Sequence, residues 1–375
     1  MENGEILIVG GGIGGLSAAI ALRGIGRDVT VLEIQPDLHS STYGVGIIQP
    51  INALRALDAL GCADACLEQG YRSEGWGRML DLEGNPVAEV PGAVIPGSRL
   101  PTLNGITRPK LHKILTDRTL ESGARIEYGT TITELASETD GVTVTLGDGS
   151  TRHVELVVGA DGVRSVVRPR VLDVEPTYIG QSAFRVNLPA QPEIDRIILQ
   201  PGPAGMTGYV PIGPDLAYLF LNITWDRSRR LTQEEQLELL RELLEPYGGL
   251  TARVREHHLH NAEDVVFRPE EYLIAPTPWH RGRIVLLGDA VHTVTPHLGQ
   301  GAAQAIEDAV VLAEELDSRA TPEEAFLAYA ERRYERCKFI VDASVAIGEW
   351  EMHHTPGFDH AALTQQVVET MVQPL

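Results

Sequence analysis

Ile6-Leu7-Ile8-Val9-Gly10-Gly11-Gly12-Ile13-Gly14-Gly15 decides the fold. Four apolar residues suited to a buried strand run into a glycine-rich turn, and the turn opens directly into Leu16-Ser17-Ala18-Ala19-Ile20-Ala21-Leu22, a helix-forming run. This is the dinucleotide fingerprint in its proper strand–turn–helix setting. Gly10 serves the tight turn. Gly12 lets backbone N–H groups come close to a pyrophosphate. Gly15 lets the helix pack on the strand. The helix start, with Ile13 and Gly14, then offers unpaired N–H groups and the positive end of the helix dipole to phosphate. A second strand, Asp28-Val29-Thr30-Val31-Leu32, delivers Glu33, 18 positions after Gly15. A carboxylate at that place suits the hydroxyls of an adenosine ribose. The fingerprint alone does not separate NAD from FAD.

Composition narrows the function classes. The chain has 375 residues, 43% hydrophobic, and a formal net charge of −21. A strongly acidic chain argues against nucleic acid and against anionic membranes as partners. Three cysteines, Cys62, Cys66 and Cys337, are too few and too odd for a disulfide framework. They fit buried thiols in a reducing, cytoplasmic compartment. No apolar run reaches transmembrane length, and the nucleotide strand begins so near Met1 that no leader is expected. No metal site is expected either.

Along the chain, residues 44–50 read as a loop and Ile51–Leu60 as an amphipathic helix stopped at Gly61. Residues 71–100 read as a hairpin turning at Leu82-Glu83-Gly84-Asn85. Arg108-Pro109 opens a helix, with proline suited to its first turn. Residues 125–158 alternate as strands around Asp140-Gly141 and Asp148-Gly149, and Val154–Val158 forms a buried strand. Residues 178–225 are rich in Tyr, Phe, Val and Ile, broken by Pro and Gly. Helices are expected over 232–246, 299–316 and 322–350. The strands of nucleotide-fold character are scattered along the chain, so a β-rich unit interrupts them. The expected division assigns 1–70, 101–170 and 281–345 to one domain, 71–100 and 171–280 to another, and 346–375 to a helical tail.

Two further motifs follow the fingerprint. One is Gly159-Ala160-Asp161-Gly162, with Arg164-Ser165. The other is Gly288-Asp289 after the strand Arg283–Leu287, followed by Pro296-His297-Leu298-Gly299-Gln300-Gly301-Ala302. With the fingerprint and Glu33, and in this order, they make the chain resemble the FAD-dependent aromatic hydroxylases of the para-hydroxybenzoate hydroxylase family. These are single-component flavoprotein monooxygenases, and the resemblance covers residues 1 to about 345. It implies an α/β fold: a Rossmann-like FAD-binding domain, an interleaved β-sheet substrate domain and a helical C-terminus. It also implies non-covalent FAD, NADH or NADPH as cosubstrate, and O2. A small aromatic or N-heteroaromatic substrate would be hydroxylated through a flavin C4a-hydroperoxide. Asp289 would then receive hydrogen bonds from the ribityl chain. The helix start at Gly299, Gly301 and Ala302 would face the flavin pyrimidine, where its dipole favours an anionic reduced flavin. The Pro296 carbonyl would lie beside the reacting flavin carbon. Arg108 would contact the pyrophosphate and ribityl region, Asp161 would be a second FAD acid, and Val45 and its neighbours in Gly44–Ile47 would line the flavin ring. A second GxGxxG is absent, which fits a family whose nicotinamide binds without its own Rossmann domain. Epoxidation, Baeyer–Villiger chemistry and a non-hydroxylating flavin protein remain alternatives. A homodimer is an open expectation.

The substrate pocket is expected between the β-rich sheet and the flavin. Phe184, Arg185, Tyr209, Pro211, Tyr218 and Phe220 are its candidates, since an aromatic lining suits a flat ring. Tyr209 is the favoured hydrogen-bond partner for substrate, and Arg185 a partner for a substrate carboxylate. His297 follows the flavin-facing Pro296 and is a catalytic candidate. His292 reads as structural, the His257, His258 and His260 cluster as solvated, and His353 and His354 as part of a mobile tail.

Overall fold

The computed structural model describes residues 4–38, 45–73 and 75–375. The chain starts with β1 (Glu5–Val9), α1 (Ile13–Gly24) and β2 (Asp28–Glu33), then β3 (Gly46–Pro50), α2 (Ile51–Ala59) and α3 (Ala63–Gln69). Next come β4 (Tyr71–Ser73), β5 (Gly77–Leu80), β6 (Pro86–Val90), β7 (Leu103–Thr107) and α4 (Arg108–Glu121). The middle holds β8 (Arg125–Tyr128), β9 (Ile132–Ser137), β10 (Val142–Leu146), β11 (Thr151–Val154), β12 (Leu156–Gly159) and the short α5 (Arg168–Val171). Then follow β13 (Thr177–Pro189), β14 (Ile197–Gly202), β15 (Gly205–Gly213), β16 (Leu216–Thr224), α6 (Gln233–Leu243), α7 (Gly249–His257) and β17 (Val265–Tyr272). The chain closes with β18 (His280–Arg281), β19 (Ile284–Leu286), α8 (Gly301–Ser318), α9 (Pro322–His353) and α10 (His360–Val372).

Two sheets organise these elements. The first has the order β18-β19-β12-β1-β2-β8, and apart from β18 its neighbours run parallel. Parallel strands covered on both faces read as unbroken apolar runs. Ile6, Leu7, Ile8, Val157 and Val158 are accordingly all fully buried. The second has the order β17-β13-β16-β15-β14-β5-β6 and is antiparallel except where β14 meets β5. Chain segments alternate between the two sheets.

Three sequence expectations need correction. Residues 46–50 are a strand, because Ile47 and Ile48 pair antiparallel with Ile106 and Gly105 of β7. Gly44 lies outside the described residues. Val154–Val158 is broken at Glu155, whose carboxylate meets Arg27 at 2.6 Å. β11 therefore joins a small antiparallel sheet with β10 and β9, while β12 joins the parallel sheet. His353 and His354 end a helix of 32 residues, His354 taking the left-handed C-cap conformation (φ 48°). The chain then returns as α10, which buries Val367, Val368 and Met371.

Candidate cofactor and substrate site

The fingerprint turn is built as its glycines require. Gly10 has φ +108°, and a Cβ there would meet the Ala160 carbonyl oxygen at 2.4 Å. A Cβ on Gly15 would meet the Gly10 oxygen at 1.9 Å, so α1 packs on the turn only without a side chain. Gly12 has open space at the same position. It precedes α1, which begins with no side-chain cap, so its first N–H groups stay available. Glu33 is 8% exposed, and its carboxylate is pinned by the Gly11 and Gln35 N–H groups, both at 2.8 Å.

Asp289 sits on a turn held from below. The Gly288 N–H and His292 Nε2 both reach Asp308 Oδ2, at 2.9 and 2.5 Å. Arg333 donates through Nε to Asp308 Oδ1 and through a terminal nitrogen to Glu307 Oε2, both at 2.8 Å. Every member of this ion-pair set is buried. Burial opposes the Asp308 charge, but His292 and Arg333 overrule it and hold the carboxyl down at about 2. His292, Asp308 and Cys337 also lie close enough to ligate a metal. The Arg333 guanidinium already occupies that charge balance, so the cluster reads as a brace for the turn. The carboxylate it presents, Asp289, is exposed and makes no side-chain hydrogen bond among the described residues.

Beside this turn lies a cavity of about 490 Å³. One wall is Val45, Gly46, Ile47 and Ile48 of β3 with Arg108 at the start of α4. The floor is Pro296, His297, Gly299, Gly301 and Ala302. Gly299 takes φ +63° to turn into α8. α8 begins without a side-chain cap, and a Cβ on Gly301 would face open space. The roof is one face of the second sheet: Arg185, Ile197, Leu199, Met206, Val210, Tyr218, Phe220, Asn222, Val266 and Arg268.

These features fit FAD. Two uncapped helix starts with open space before them suit a pyrophosphate and a flavin pyrimidine. The unpartnered Asp289 carboxylate and the Arg108 guanidinium, which has no side-chain partner among the described residues, suit the polar chain between. Asp161 is engaged locally. Its carboxylate receives Ser165 Oγ at 2.5 Å, Val166 N–H at 2.6 Å and Val167 N–H at 3.1 Å. These bonds hold its own turn.

Among the substrate candidates, Arg185, Tyr218 and Phe220 face the cavity. Tyr209, Phe184 and Pro211 do not. Tyr209 is fully buried on the opposite face and donates to Thr251 Oγ1 at 2.9 Å. Phe184 stacks on Phe267, with ring centroids 4.1 Å apart. Side chains alternate across a strand, so choosing Tyr209 rather than Val210 chooses the wrong face. The roles expected of Tyr209 and Phe184 at substrate are therefore withdrawn.

His297 is tied into a buried polar cluster. Its Nδ1 lies 3.0 Å from Thr295 Oγ1, and its Nε2 lies 3.1 Å from Gln181 Oε1. The same Nε2 is 3.4 Å from Glu351 and 3.6 Å from Glu270. Burial works against a charged imidazole, but the two carboxylates outweigh it and raise its pKa. Burial likewise raises Glu270, against His297 and Arg185. Arg185 approaches Glu270 at 4.0 Å. Gln181, Asn222, Glu270, Glu351 and the cavity-lining His360 were not singled out from sequence. Their signal is weak: Val266, Arg268 and Glu270 alternate along β17, but nothing local reports that α9 returns to meet them.

Fold and site together define a flavin-dinucleotide oxidoreductase with a cavity between its cofactor motifs and the second sheet. The family described as an FAD binding domain matches residues 3–344, and the chain belongs to that family. The aurachin C monooxygenase/isomerase of Stigmatella aurantiaca is 33% identical over 357 residues, 92% of this chain and 90% of that protein. The 6-hydroxynicotinate 3-monooxygenase of Pseudomonas fluorescens is 31% identical over 357 residues, 90% of each chain. The structure of Klebsiella pneumoniae HpxO complexed with FAD and uric acid shares the fold, with a TM-score of 0.83 and 23% identity. That match covers 98% of this chain and 92% of that one. The protein is an FAD-dependent monooxygenase of the aromatic hydroxylase group, as the motifs imply.

Proposed function

We propose that this monooxygenase hydroxylates a small aromatic or N-heteroaromatic ring held between Pro296 and the cavity face of the second sheet. The observation that carries this is the cavity itself. An uncapped helix start lies on one side and a mostly apolar roof with Arg185 and Asn222 on the other. Tyr218, Phe220, Leu199 and Met206 suit a flat ring. The relatives with N-heteroaromatic names, 6-hydroxynicotinate among them, support the same class. FAD, reduced by NAD(P)H, supplies the oxygen-transfer chemistry. The chain's own part is to position the ring, exclude water and stabilise charge at the α8 N-terminus. In this reading, residues 1–70, 101–170 and 281–345 hold the cofactor, 71–100 and 171–280 roof the substrate, and 346–375 close its side. Three buried free thiols suit a cytoplasmic location.

The test is NAD(P)H oxidation by the FAD-loaded protein with a panel of phenols, hydroxypyridines and quinolones. The expected result is stimulated oxidation with at least one hydroxylated product formed in near-equal amount to the NAD(P)H consumed. Stimulation that yields hydrogen peroxide alone for every ring, or an epoxide or ring-expanded lactone instead, would overturn the reading.

A further inference from the structure

Glu351 stands out among groups that the proposed chemistry has not used. It is 6% exposed and lines the cavity from α9, a helix far in sequence from every flavin motif. One of its oxygens is fully engaged. Oε2 accepts from Gln181 Nε2 at 3.1 Å and from Asn222 Nδ2 at 3.2 Å, and faces His297 Nε2 at 3.4 Å. No hydrogen bond reaches the other oxygen, Oε1, among the described residues. A buried carboxylate with one idle oxygen is costly unless something completes it.

The surroundings are built to bring this carboxylate in. Gly348 lies one turn earlier on α9. A Cβ there would meet Gln181 Oε1 at 2.8 Å and His297 Cε1 at 3.0 Å, so the glycine lets the helix approach the cluster. Gln181 is divided between its neighbours: its amide nitrogen donates to Glu351 and its oxygen faces His297. Asn222 fixes the same carboxylate from the next strand. Three side chains therefore hold one oxygen still and leave the other for the cavity.

We propose that Glu351 Oε1 accepts the hydrogen bond of a ring N–H or O–H group on the substrate. The contact selects rings that carry such a donor and sets their orientation over Pro296. This rests on the cavity being the substrate chamber. A carboxylate facing the donor also raises electron density in the ring, which favours transfer of an electrophilic oxygen. An N- or O-methylated ring offers no hydrogen to Oε1 and brings a methyl group against it, leaving the buried charge unpaired.

The test uses the FAD-loaded full chain and two probe pairs: 4-quinolone with N-methyl-4-quinolone, and 6-hydroxynicotinate with 6-methoxynicotinate. Binding is read from the perturbed flavin absorbance. The wild type is expected to bind the donor-bearing member of at least one pair roughly ten- to hundredfold more tightly than its methylated partner. Glu351→Gln, which can turn an amide N–H toward the cavity, is expected to lose that preference. Glu351→Asp, which keeps the charge but withdraws it by one methylene, is expected to lose most of it. Equal binding of both members by the wild type overturns the assignment without any variant. A preference that survives in both variants also overturns it and leaves the substrate class standing. A flavin spectrum that answers to no probe overturns the substrate class and this assignment together.

Discussion

The two faces of the β13–β16 region carry similar residues and do opposite work. On one face, Phe184, Tyr209, Leu219 and Leu221 pack with Leu240, Leu250 and Val254 from α6 and α7 into a closed apolar core. On the other, Arg185, Val210, Tyr218, Phe220 and Asn222 look into the chamber. Neighbours in sequence therefore face the packed core and the cavity in strict alternation. An aromatic residue in such a strand says nothing of its role until its face is known.

The sharpest way to break this comparison is Phe184→Ala. Removing a stacked, fully buried ring should cost about 3–5 kcal/mol of stability. The melting temperature and the FAD content of the surviving folded fraction report it. A variant as stable as wild type but slow in turnover would place Phe184 on the wrong face. Arg185→Met, one residue on, should show the reverse. Its melting temperature should stay near wild type, while KM for an aromatic carboxylate rises about tenfold, about 1.4 kcal/mol. Unchanged KM for every anionic ring tried would remove Arg185 from substrate contact. The smallest effect should come from Tyr209→Phe. Loss of the bond to Thr251 should lower stability by about 0.5–1.5 kcal/mol. The ratio of product to NAD(P)H should not move, and a fall in it would put Tyr209 back at the chamber.

The cofactor half of the site was legible because local chemistry forces it. Gly10 and Gly15 have no alternative to glycine, and the helix that follows them must start where the phosphate is needed. Asp289 is reached by the same logic, one strand and one turn away, and stands as a proposed cofactor contact. Its brace is not reached this way, since Asp308 and Arg333 lie on α8 and α9 and only packing shows them beneath Gly288. The sheet side of the cavity, proposed to hold substrate, was legible as strands but not as faces. Tyr209 and Val210 look equally suited to a pocket until α6 and α7 are seen to cover one of them. Glu351 was beyond reach for a related reason: it arrives from the C-terminal helix and meets Gln181 across 170 positions of chain.

One dimension of α9 has a consequence for how this chain varies. Arg333 and Glu351 are eighteen positions apart on an uninterrupted helix, about five whole turns and about 27 Å. They therefore project from the same side, one bracing the Asp289 turn and the other entering the chamber. Inserting or deleting a single residue between them would swing Glu351 by about 100° around the axis while leaving Arg333 in place. Between these two points it is the length that is fixed: the helix works as a ruler with a mark at each end.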